Sequence, residues 1–411
     1  MNTIENLKDL SGKKILVRVD FNVPLKGEVI RDDNRIVQAL PTIKYLLEQG
    51  ASLVLMSHLG KIKWGKVSDE EIEQQKAKNN MKYVYPRLAE LLNGYTVKFV
   101  DATHGEALKE AIASLNAKEV LLVQNTRYEK GESKNNKELS EEWASYVDGF
   151  VMDAFGSAHR AHASTYGVPE ILKAEGKPVA LGFLMEKEVK NLGACVKGDI
   201  HPYLAILGGF KVSDKIKVID SLLKKCDKIL IGGAMAYTFK KALGEEIGTS
   251  PCEDDQLEYA RNCYASGKIV LPVDSVVAND FDNPTEIKTV KATEGIPAGF
   301  EGLDVGPETI KLYEKEIAKA KLIFWNGPVG VFEKKEFQAG TIAVCKAITE
   351  NKGAFSVIGG GDSAAAAKEF GYADKFSHVS TGGGASLEMI ELDGHLPGID
   401  VIGWLWEENY Y

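Results

Sequence analysis

The fold class is decided by a stretch near the N-terminus that reads KILVRVD at Lys14–Asp20, RIVQALPTIKYLLEQ at Arg35–Gln49 and ASLVLMS at Ala51–Ser57. The first and third segments are short and rich in β-branched and other apolar residues, whereas the middle segment carries apolar residues at helical spacing. Apolar strands that alternate with amphipathic helices are typical of a parallel sheet covered on both faces. The stretch therefore predicts a doubly wound α/β domain.

The same alternation continues along the chain. Further strands are predicted at Val120–Gln124, Phe150–Asp153, Tyr203–Leu207, Lys228–Ile231, Ile269–Pro272, Leu322–Trp325, Phe355–Ile358 and Phe376–Val379. Amphipathic helices are predicted at Lys215–Lys225, Pro307–Lys319 and Phe337–Glu350. Because 411 residues exceed the usual size of one core, the pattern predicts two parallel-sheet, Rossmann-like domains.

The connection between the domains is predicted from a change of pattern. Tyr166–Pro178 is rich in glycine and proline, and a helix is predicted at Phe183–Leu192. We expect a first domain at 1–172, a connector with a hinge helix at 173–192, and a second domain at 193–392. The lysine-rich and acidic segment Lys61–Lys82 has no strand pattern and is predicted to be a solvated loop and helix.

Composition and charge argue against several classes of protein. The net charge of −9 is unsuited to nucleic acid, which needs a basic surface. No apolar run is long enough to cross a bilayer, and Met1–Asn6 lacks the features of a signal peptide. The five cysteines are scattered and never spaced as CxxC, which argues against a disulfide framework or a zinc site. We expect a cytoplasmic protein whose partners are small molecules.

The strand ends of the first half carry basic and polar side chains, and ligands of open parallel sheets bind beyond such ends. The ends read Asp20-Phe21-Asn22, His58-Leu59-Gly60-Lys61, Arg127 and DAFGSAHRAH at Asp153–His162. Arginine binds carboxylates and phosphates in bidentate fashion, and histidine adds a donor. Arg127 or Arg160 alone could equally make a structural ion pair. Gathered with His159 and His162 after two strands, they predict a site for a small anion.

The strand ends of the second half are rich in glycine and carry single Lys, Asn and Asp residues. They read Gly208–Lys211, Gly232-Gly233, Asn326-Gly327-Pro328, Gly359–Ser363 and Thr381–Gly384. Glycines allow backbone N–H groups to approach phosphates, and a following helix offers its positive end. Asp362 could hold Mg²⁺ with phosphate oxygens, or Asp362 and Ser363 could only cap the helix. The motif alone leaves both readings open, but the set favours a nucleotide site.

Other nucleotide-binding motifs do not occur in the sequence. There is no GxxxxGK[ST] P-loop, no HRDxxxxN of protein kinases, and no GxGxxG after the first strand. An α/β oxidoreductase that binds a dinucleotide is therefore one weak alternative. A nucleotide-binding regulatory protein without turnover is another.

Seven motifs together resemble the phosphoglycerate kinase family. They are Arg18–Pro24 (RVDFNVP), Ser57–Gly60 (SHLG), Asp153–His162, Leu207–Lys215 (LGGFKVSDK), Trp325–Glu333 (WNGPVGVFE), Gly359–Ser363 (GGGDS) and Ser380–Ser386 (STGGGAS). They follow the family's order over nearly the whole chain, so the set is specific although no single motif is. The resemblance implies reversible phosphoryl transfer between 1,3-bisphosphoglycerate with ADP and 3-phosphoglycerate with ATP, dependent on Mg²⁺.

The resemblance also implies roles for individual residues. It implies a monomer whose first domain binds the glycerate, whose second domain binds Mg-nucleotide, and whose residues 393–411 pack back on the first domain. Glycerate would be bound by Asp20, Phe21, Asn22, Arg35, His58, Leu59, Gly60, Lys61, Arg127 and Arg160, although Asp20 could instead orient Arg35. Catalysis would depend on Arg35, Lys211, Gly361 and Gly384. Nucleotide would be bound by Gly209, Phe210, Lys211, Lys215, Gly232, Gly233, Gly302, Leu303, Asn326, Pro328, Val331, Glu333, Gly360, Gly361, Asp362 and Ser363, with Mg²⁺ on Asp362.

Four positions depart from the family's pattern. Lys61 stands where arginine is usual, and Gln124 stands where glutamate is usual. Phe210 replaces a small residue, and Ala234 replaces a third glycine. None of these changes removes an implied catalytic group.

Overall fold

The protein is described from a computed structural model that covers residues 2–404 and Trp406. The chain divides into two compact units. The first comprises Met1–Lys190 and His395–Tyr411, as far as these residues are described, and the second comprises Asn191–Gly394. Helix α7 (Phe183–Lys197) contains the division between Lys190 and Asn191.

The first unit is built on a parallel sheet of six strands. The strands of the first unit, including the two of a separate hairpin, are β1 (Lys14–Val19), β2 (Leu25–Lys26), β3 (Val29–Ile30), β4 (Ser52–Met56), β5 (Val97–Val100), β6 (Val120–Val123), β7 (Gly149–Asp153) and β8 (Val179–Leu181). Its helices are α1 (Asn34–Glu48), α2 (Asp69–Lys78), α3 (Tyr85–Leu91), α4 (Gly105–Ala113), α5 (Lys137–Ser145), α6 (Val168–Ala174) and the start of α7. The sheet order is β5-β6-β4-β1-β7-β8, while β2 and β3 form a separate hairpin. Since β1 and β4 lie at its centre, their side chains are almost all buried, which agrees with their mostly apolar composition; the buried exception in β1 is Arg18.

The second unit has a second six-stranded parallel sheet and a small antiparallel sheet. Its strands are β9 (Tyr203–Leu207), β10 (Lys228–Ile231), β11 (Ile269–Val270), β12 (Asp274–Ala278), β13 (Ile287–Lys291), β14 (Glu301–Val305), β15 (Leu322–Asn326), β16 (Phe355–Ile358) and β17 (His378–Val379). Its helices are α8 (Ile216–Lys225), α9 (Met235–Ala242), α10 (Leu257–Ala265), α11 (Pro307–Lys319), α12 (Ala339–Glu350), α13 (Gly361–Glu369) and α14 (Gly383–Glu391). The parallel sheet has the order β11-β10-β9-β15-β16-β17, and the antiparallel sheet has the order β13-β12-β14.

The predicted α/β class with parallel sheets is confirmed, and four regions add to it. Strands β5 and β8, the β2–β3 hairpin and the antiparallel sheet were not predicted from the sequence. Strand β5 is half-buried throughout and β8 has only three residues, so neither shows a strong apolar pattern. In β13 only one of five residues is buried.

The C-terminal residues that are described contact the first unit. Helix α15 (Pro397–Asp400) follows the end of the second unit. The Gly398 N–H donates to the Ala158 carbonyl at 2.8 Å, and the Asn2 side chain donates to the Ile402 carbonyl. Of the segment 393–411 that was predicted to return to the first domain, Leu405 and residues 407–411 lie outside the described residues. Among the helices that are described, none is long and apolar enough to span a membrane.

Candidate active site

Seven basic side chains gather at the carboxyl ends of the strands of the first unit, and we call them the basic cluster. They are Arg18, Arg35, His58, Lys61, Arg127, Arg160 and His162, and they come from β1, α1 and the segments after β4, β6 and β7. Burial lowers the pKa of His58 well below its ordinary value, and the positive charges of Arg18 and Arg127 lower it further. His58 is therefore neutral at pH 7 and serves as a hydrogen-bonding group.

Arg35 is held by an acidic partner at the start of α1. Its Nη1 donates to Asp20 Oδ1 at 3.1 Å, to Asp20 Oδ2 at 3.3 Å and to the Asn22 carbonyl at 3.0 Å. The Arg35 side chain is 42% exposed, whereas that of Asp20 is 14% exposed. The ion pair thus fixes Arg35 from its protein side and leaves part of the guanidinium accessible. Asp20 orients Arg35, which is one of the two roles left open for it.

Asn22 connects the ends of β1 and β4. Its Oδ1 accepts the Gly60 N–H at 2.8 Å. Gly60 has a φ of +61°, and a Cβ at this position would lie 2.1 Å from Asn79 Oδ1. Only glycine fits this turn, because any side chain would both strain the backbone and collide with Asn79. The turn brings Asn22, Gly60 and Lys61 to the same end of the sheet.

Asn125 joins the ends of β4 and β6, although the sequence analysis did not single it out. Its Oδ1 accepts the N–H groups of Leu59 at 3.1 Å and Arg127 at 3.0 Å, and its Nδ2 donates to the Leu59 carbonyl at 2.7 Å. Asn125 is completely buried. Arg127 in turn donates from Nη1 to the Gly60 carbonyl at 2.9 Å. One buried amide therefore sets the relative position of two predicted site segments.

Arg18, a buried member of the basic cluster, forms a polar network with Glu132, and neither residue was assigned a role from the sequence. The Arg18 Nε donates to Ser164 Oγ at 2.8 Å, and Nη2 lies 3.0 Å from His58 Nδ1. Ser164 donates from its N–H and its hydroxyl to Glu132, at 2.8 and 2.7 Å. Arg18 and Glu132 are each only 1% exposed. Glu132 thus supplies negative charge beneath the cluster, and only the fold could reveal it.

A cavity of about 310 Å³ opens beside Arg127 in the first unit. Its lining includes three members of the basic cluster, Lys61, Arg127 and His162, together with Trp64. Arg160 is exposed. Phe21 and Leu59, by contrast, have side chains that are at most 1% exposed and belong to the hydrophobic core. These two residues can therefore face a ligand only through their backbone.

The second unit has a cavity of about 300 Å³. Nine of the predicted nucleotide-binding residues line it: Gly209, Phe210, Gly233, Gly302, Leu303, Pro328, Val331, Glu333 and Asp362. The lining also includes Ala234, Tyr237, Pro251, Phe281, Glu301, Val329 and Gly330, which were not predicted. Glu301 to Leu303 lie on β14, and Phe281 lies in the connection from β12 to β13. The antiparallel sheet thus completes the cavity, and Glu301 and Phe281 were missed because that sheet was not predicted. The other five residues lie outside the sheet.

Two close backbone approaches explain glycines around the cavity. A Cβ at Gly208 would lie 1.9 Å from the Pro328 carbonyl oxygen. Because glycine has no Cβ, the ends of β9 and β15 can approach each other closely. Gly360 has a φ of +82°, and a Cβ there would lie 2.8 Å from the Gly383 nitrogen. The first turns of α13 and α14 therefore lie side by side. Their unpaired N–H groups and positive dipole ends make this a favourable place for phosphate.

Lys215 and Asn326 meet at the strand ends of the second unit. The Lys215 ammonium donates to Asn326 Oδ1. Burial lowers the pKa of Lys215, whereas the negative charges of Asp214, Glu391 and Asp362 raise it. The Asn326 amide donates to the Gly359 carbonyl at 3.4 Å, and Ser363 accepts the Gly327 N–H at 3.2 Å. These contacts join Lys215 and two of the glycine-rich segments, Asn326–Pro328 and Gly359–Ser363.

Four predicted residues contribute in other ways. Lys211 follows Phe210 and is exposed, and Gly361 and Gly384 are exposed at the first turns of α13 and α14. Gly232 is buried, and a Cβ there would lie 2.5 Å from the Val329 side chain. Gly232 therefore shapes the cavity by permitting close packing of Val329 and does not itself line it.

Asp362 is suitable for Mg²⁺ that is shared with a nucleotide. It is exposed in the first turn of α13 and lines the cavity. Magnesium is usually held in such sites by one or two carboxylates together with phosphate oxygens and water. Over residues 2–404 and Trp406, no group of three or more His, Cys, Asp or Glu side chains is placed to hold a metal by itself. The single carboxylate fits the donor set of a nucleotide-bound ion.

Comparison with known proteins identifies the family. The family model described as phosphoglycerate kinase matches residues 4–393. A phosphoglycerate kinase of Fusobacterium nucleatum is 54% identical over 400 residues, which cover 96% of this chain and 97% of that protein. The chain belongs to the phosphoglycerate kinase family. Solved phosphoglycerate kinase structures agree: that of Coxiella burnetii has a TM-score of 0.83 at 37% identity, covering 97% of this chain and 98% of its own. That of Pyrococcus horikoshii OT3 has a TM-score of 0.81 at 31% identity, covering all of both chains.

Membership in the phosphoglycerate kinase family confirms the resemblance that the seven motifs indicated. It also confirms the predicted enzyme class, a phosphotransferase with a carboxyl acceptor, and the use of ATP or ADP with Mg²⁺. The oxidoreductase is set aside by the same finding, and a regulatory kinase descendant without turnover is disfavoured by the intact set Lys211, Asn326, Asp362, Arg35 and Arg160.

The four departures from the phosphoglycerate kinase pattern have distinct surroundings. Phe210, which is 64% exposed, and Ala234 line the second unit's cavity, and Lys61 lines that of the first. Gln124 is buried and donates from Nε2 to Asn80 Oδ1 at 2.9 Å and to Asp101 Oδ1 at 2.8 Å. A glutamate could not donate to these oxygens, so the amide suits this position.

Proposed function

We propose that the basic cluster of the first unit binds the glycerate substrate and that the cavity of the second unit binds Mg-ATP or Mg-ADP. The reaction is that of a phosphoglycerate kinase: reversible transfer of a phosphoryl group between 1,3-bisphosphoglycerate with ADP and 3-phosphoglycerate with ATP. The observation that carries the assignment of ligands to units is their opposite chemistry. One set of strand ends presents arginines and histidines, while the other presents glycines, helix starts and a mostly apolar cavity.

For the glycerate, the accessible cations are the main determinants. Arg35, Arg127, Arg160 and Lys61 supply positive charge for a carboxylate and a phosphate. Asp20 and Asn22 hold Arg35 in place, and His58, which is neutral at pH 7, offers a hydrogen bond without charge. Phe21, Leu59 and Gly60, whose backbone groups are hydrogen-bonded within the protein, would hold the segments that carry these side chains.

For the nucleotide, the two halves of the second site have different tasks. The apolar wall with Gly302, Leu303, Pro328 and Val331 would hold the base, and Glu333 would accept from the ribose hydroxyls. Lys215, Asn326 and the N–H groups at Gly360–Ser363 would bind the phosphates. Mg²⁺ on Asp362, when bound, supplies positive charge that offsets the charge of the phosphate oxygens.

The chemistry asks for alignment and charge stabilisation, because an acyl phosphate already has a good leaving group. Positive groups directed at the equatorial oxygens of the transferring phosphoryl group lower the barrier. We assign this role to Lys211, Arg35 and the helix starts at Gly361 and Gly384. Two ligands on different units must be brought together with water excluded, since otherwise ATP would be hydrolysed. We therefore propose that the units close in catalysis, with the hinge between residues 166 and 192.

We further propose that the enzyme works as a monomer in the cytoplasm and without nucleic acid. The five cysteines are all described and all carry free thiols, which suits a reducing compartment. The acidic net charge of −9 disfavours a polyanionic partner. Sedimentation equilibrium tests the monomer, and a dimer at micromolar concentration would contradict it.

The decisive test is a coupled assay with ATP, Mg²⁺ and 3-phosphoglycerate on the purified chain and two variants. Arg127→Met should raise KM for 3-phosphoglycerate and leave KM for ATP almost unchanged, because Arg127 lies on the first unit. Glu333→Gln should do the reverse. If both variants changed the same KM, the assignment of one ligand to each unit would be wrong.

A further inference from the structure

Trp64 contacts the backbone of Arg127, whose N–H and carbonyl groups are both hydrogen-bonded. The indole Nε1 donates to the Arg127 carbonyl at 2.9 Å. The Arg127 N–H donates to Asn125 Oδ1 at 3.0 Å. Both backbone polar groups of Arg127 are thus occupied, and its guanidinium extends from a fixed peptide towards the Gly60 carbonyl.

Helix α2 stabilises Trp64 in this position. The Lys76 ammonium lies 5.1 Å from the centroid of the Trp64 ring and 5.5 Å from that of the Tyr128 ring, which are distances of cation–π attraction. The Tyr128 hydroxyl donates to the Lys76 carbonyl. Tyr128 is therefore bound to α2 directly, through its hydroxyl, whereas Arg127 is linked to α2 indirectly, through Trp64 and the Lys76 ammonium.

The start and end of α2 are also fixed. Ser68 caps the helix by accepting the Glu71 N–H, and the first turn is acidic, as the helix dipole favours. Gln75 Oε1 accepts the Lys63 N–H at 2.7 Å, and the Asn79 amide donates to the Lys61 carbonyl at 3.3 Å. The loop before α2 is thus bound to the helix at two points beside Trp64. The segment Lys61–Lys82, predicted from the sequence to be a solvated loop and helix, does contain a loop and a helix, and hydrogen bonds fix the loop against the helix.

We propose that Trp64 is a positioning residue for Arg127, acting with Lys76 and Tyr128 to hold the arginine ready for the substrate anion. The inference rests on the proposed function, because it requires Arg127 to bind the glycerate. Trp64 does not need to touch the substrate. Preorganisation of this kind lowers the cost of ordering the side chain when the ligand binds.

The test is a double-mutant cycle with Trp64→Phe and Arg127→Met, read as kcat and KM for 3-phosphoglycerate and for ATP. Trp64→Phe keeps a six-membered aromatic ring and removes the five-membered ring with its N–H donor, a change that the Trp143→Phe control reproduces. We expect KM for 3-phosphoglycerate to rise about two- to tenfold, as the loss of one hydrogen bond to a positioned group implies, with KM for ATP unchanged. In the Arg127→Met background the same substitution should have no further effect on KM, because the group it positions is gone.

Trp143→Phe is the matched control. Trp143 lies in the same unit, and its Nε1 donates to the Thr103 carbonyl at 2.8 Å, so the control removes the same kind of bond from a different peptide. It should lower the unfolding temperature without changing KM for 3-phosphoglycerate. An equal rise of KM from Trp64→Phe with and without Arg127 would overturn the positioning role. An unchanged KM in Arg127→Met would instead overturn the proposed glycerate site, so the two failures are distinguishable.

Discussion

Replacing Glu132 by glutamine should destabilise the first unit more than a matched substitution at a less buried glutamate, because it removes the stronger of the two charge interactions, with Glu132 and with Asp20, that stabilise the buried Arg18. Two hydrogen bonds, 2.8 Å from Arg18 Nε to Ser164 Oγ and 2.7 Å from Ser164 Oγ to Glu132 Oε2, link the two groups. The two ends of this chain can be no more than about 5.5 Å apart, and at an effective dielectric constant of about 20 that gives an attraction of about 3 kcal/mol. Burial lowers the pKa of Arg18 while the Glu132 charge raises it, in line with a cation that depends on this partner.

The assay is scanning calorimetry at neutral pH, which follows the unfolding of each unit. A loss of about 3 kcal/mol corresponds to a fall of about 6–12 °C in the unfolding temperature of a unit of this size. Glu142→Gln is the matched control, since Glu142 also accepts one backbone N–H, from Gly105, and one hydroxyl, from Tyr146. We expect the control to lower the unfolding temperature by less than about 4 °C, the effect of about 1 kcal/mol.

Two results would refute the reasoning about Glu132. The first is a loss in Glu132→Gln no larger than that in Glu142→Gln, which would mean that only hydrogen bonds are at stake. The second is a failure of Arg18→Met to recover part of the stability of Glu132→Gln. Removing the unpaired cation should relieve the penalty, because an isolated buried charge is far costlier than an apolar side chain.

Three further predictions concern catalysis and pH. Lys211→Ala should lower kcat far more than it raises KM for ATP, which steady-state kinetics will show; near-normal turnover would exclude the transition-state role. Asp362→Ala should raise the Mg²⁺ concentration needed for half-maximal activity while KM for 3-phosphoglycerate stays the same, measured by magnesium titration of both proteins. Burial raises the pKa of Asp153 from 3.8 to about 7. Between these two pH values the folded state binds more protons than the unfolded state. The free energy of unfolding therefore falls as pH rises through this window. Asp153→Asn should therefore be more stable than the parent at about pH 8 and lose this advantage towards about pH 5, as urea unfolding at both pH values will test.

The sequence predicted the parts of the fold that repeat a strong local pattern. Strand β1 and helix α1 were readable because a buried parallel strand is uniformly apolar and its covering helix is amphipathic. Strand β13 was not, because with one buried residue in five it resembles an exposed loop in composition. The same antiparallel sheet contributes Gly302 and Leu303 to the cavity. These two residues could be assigned only through the family resemblance, and their unpredicted neighbour Glu301 only from the fold.

The candidate site was predictable where function requires a conspicuous residue type and unpredictable where it requires a common one. Arginines and glycine runs at strand ends are unusual, so they stand out in one sequence. Asn125 and Ser164 are ordinary polar residues, and their importance comes from burial and from the groups that they join. No local pattern could distinguish Glu132 from the other glutamates between residues 129 and 142, because only one of them lies beneath Arg18.

The buried partners explain why the basic cluster can attract an anion without preventing folding. Arg18 is balanced by Glu132 and Arg35 by Asp20, while His58 is neutral because burial and the neighbouring cations lower its pKa. The cations accessible to a ligand are therefore Arg127, Arg160 and Lys61, together with Arg35, whose side chain is 42% exposed beside Asp20. The positions of the carboxylates thus determine which cations stabilise the fold and which are available to bind the substrate. A sequence shows the arginines, but the division between structural and functional ones follows from where the carboxylates lie in the folded chain.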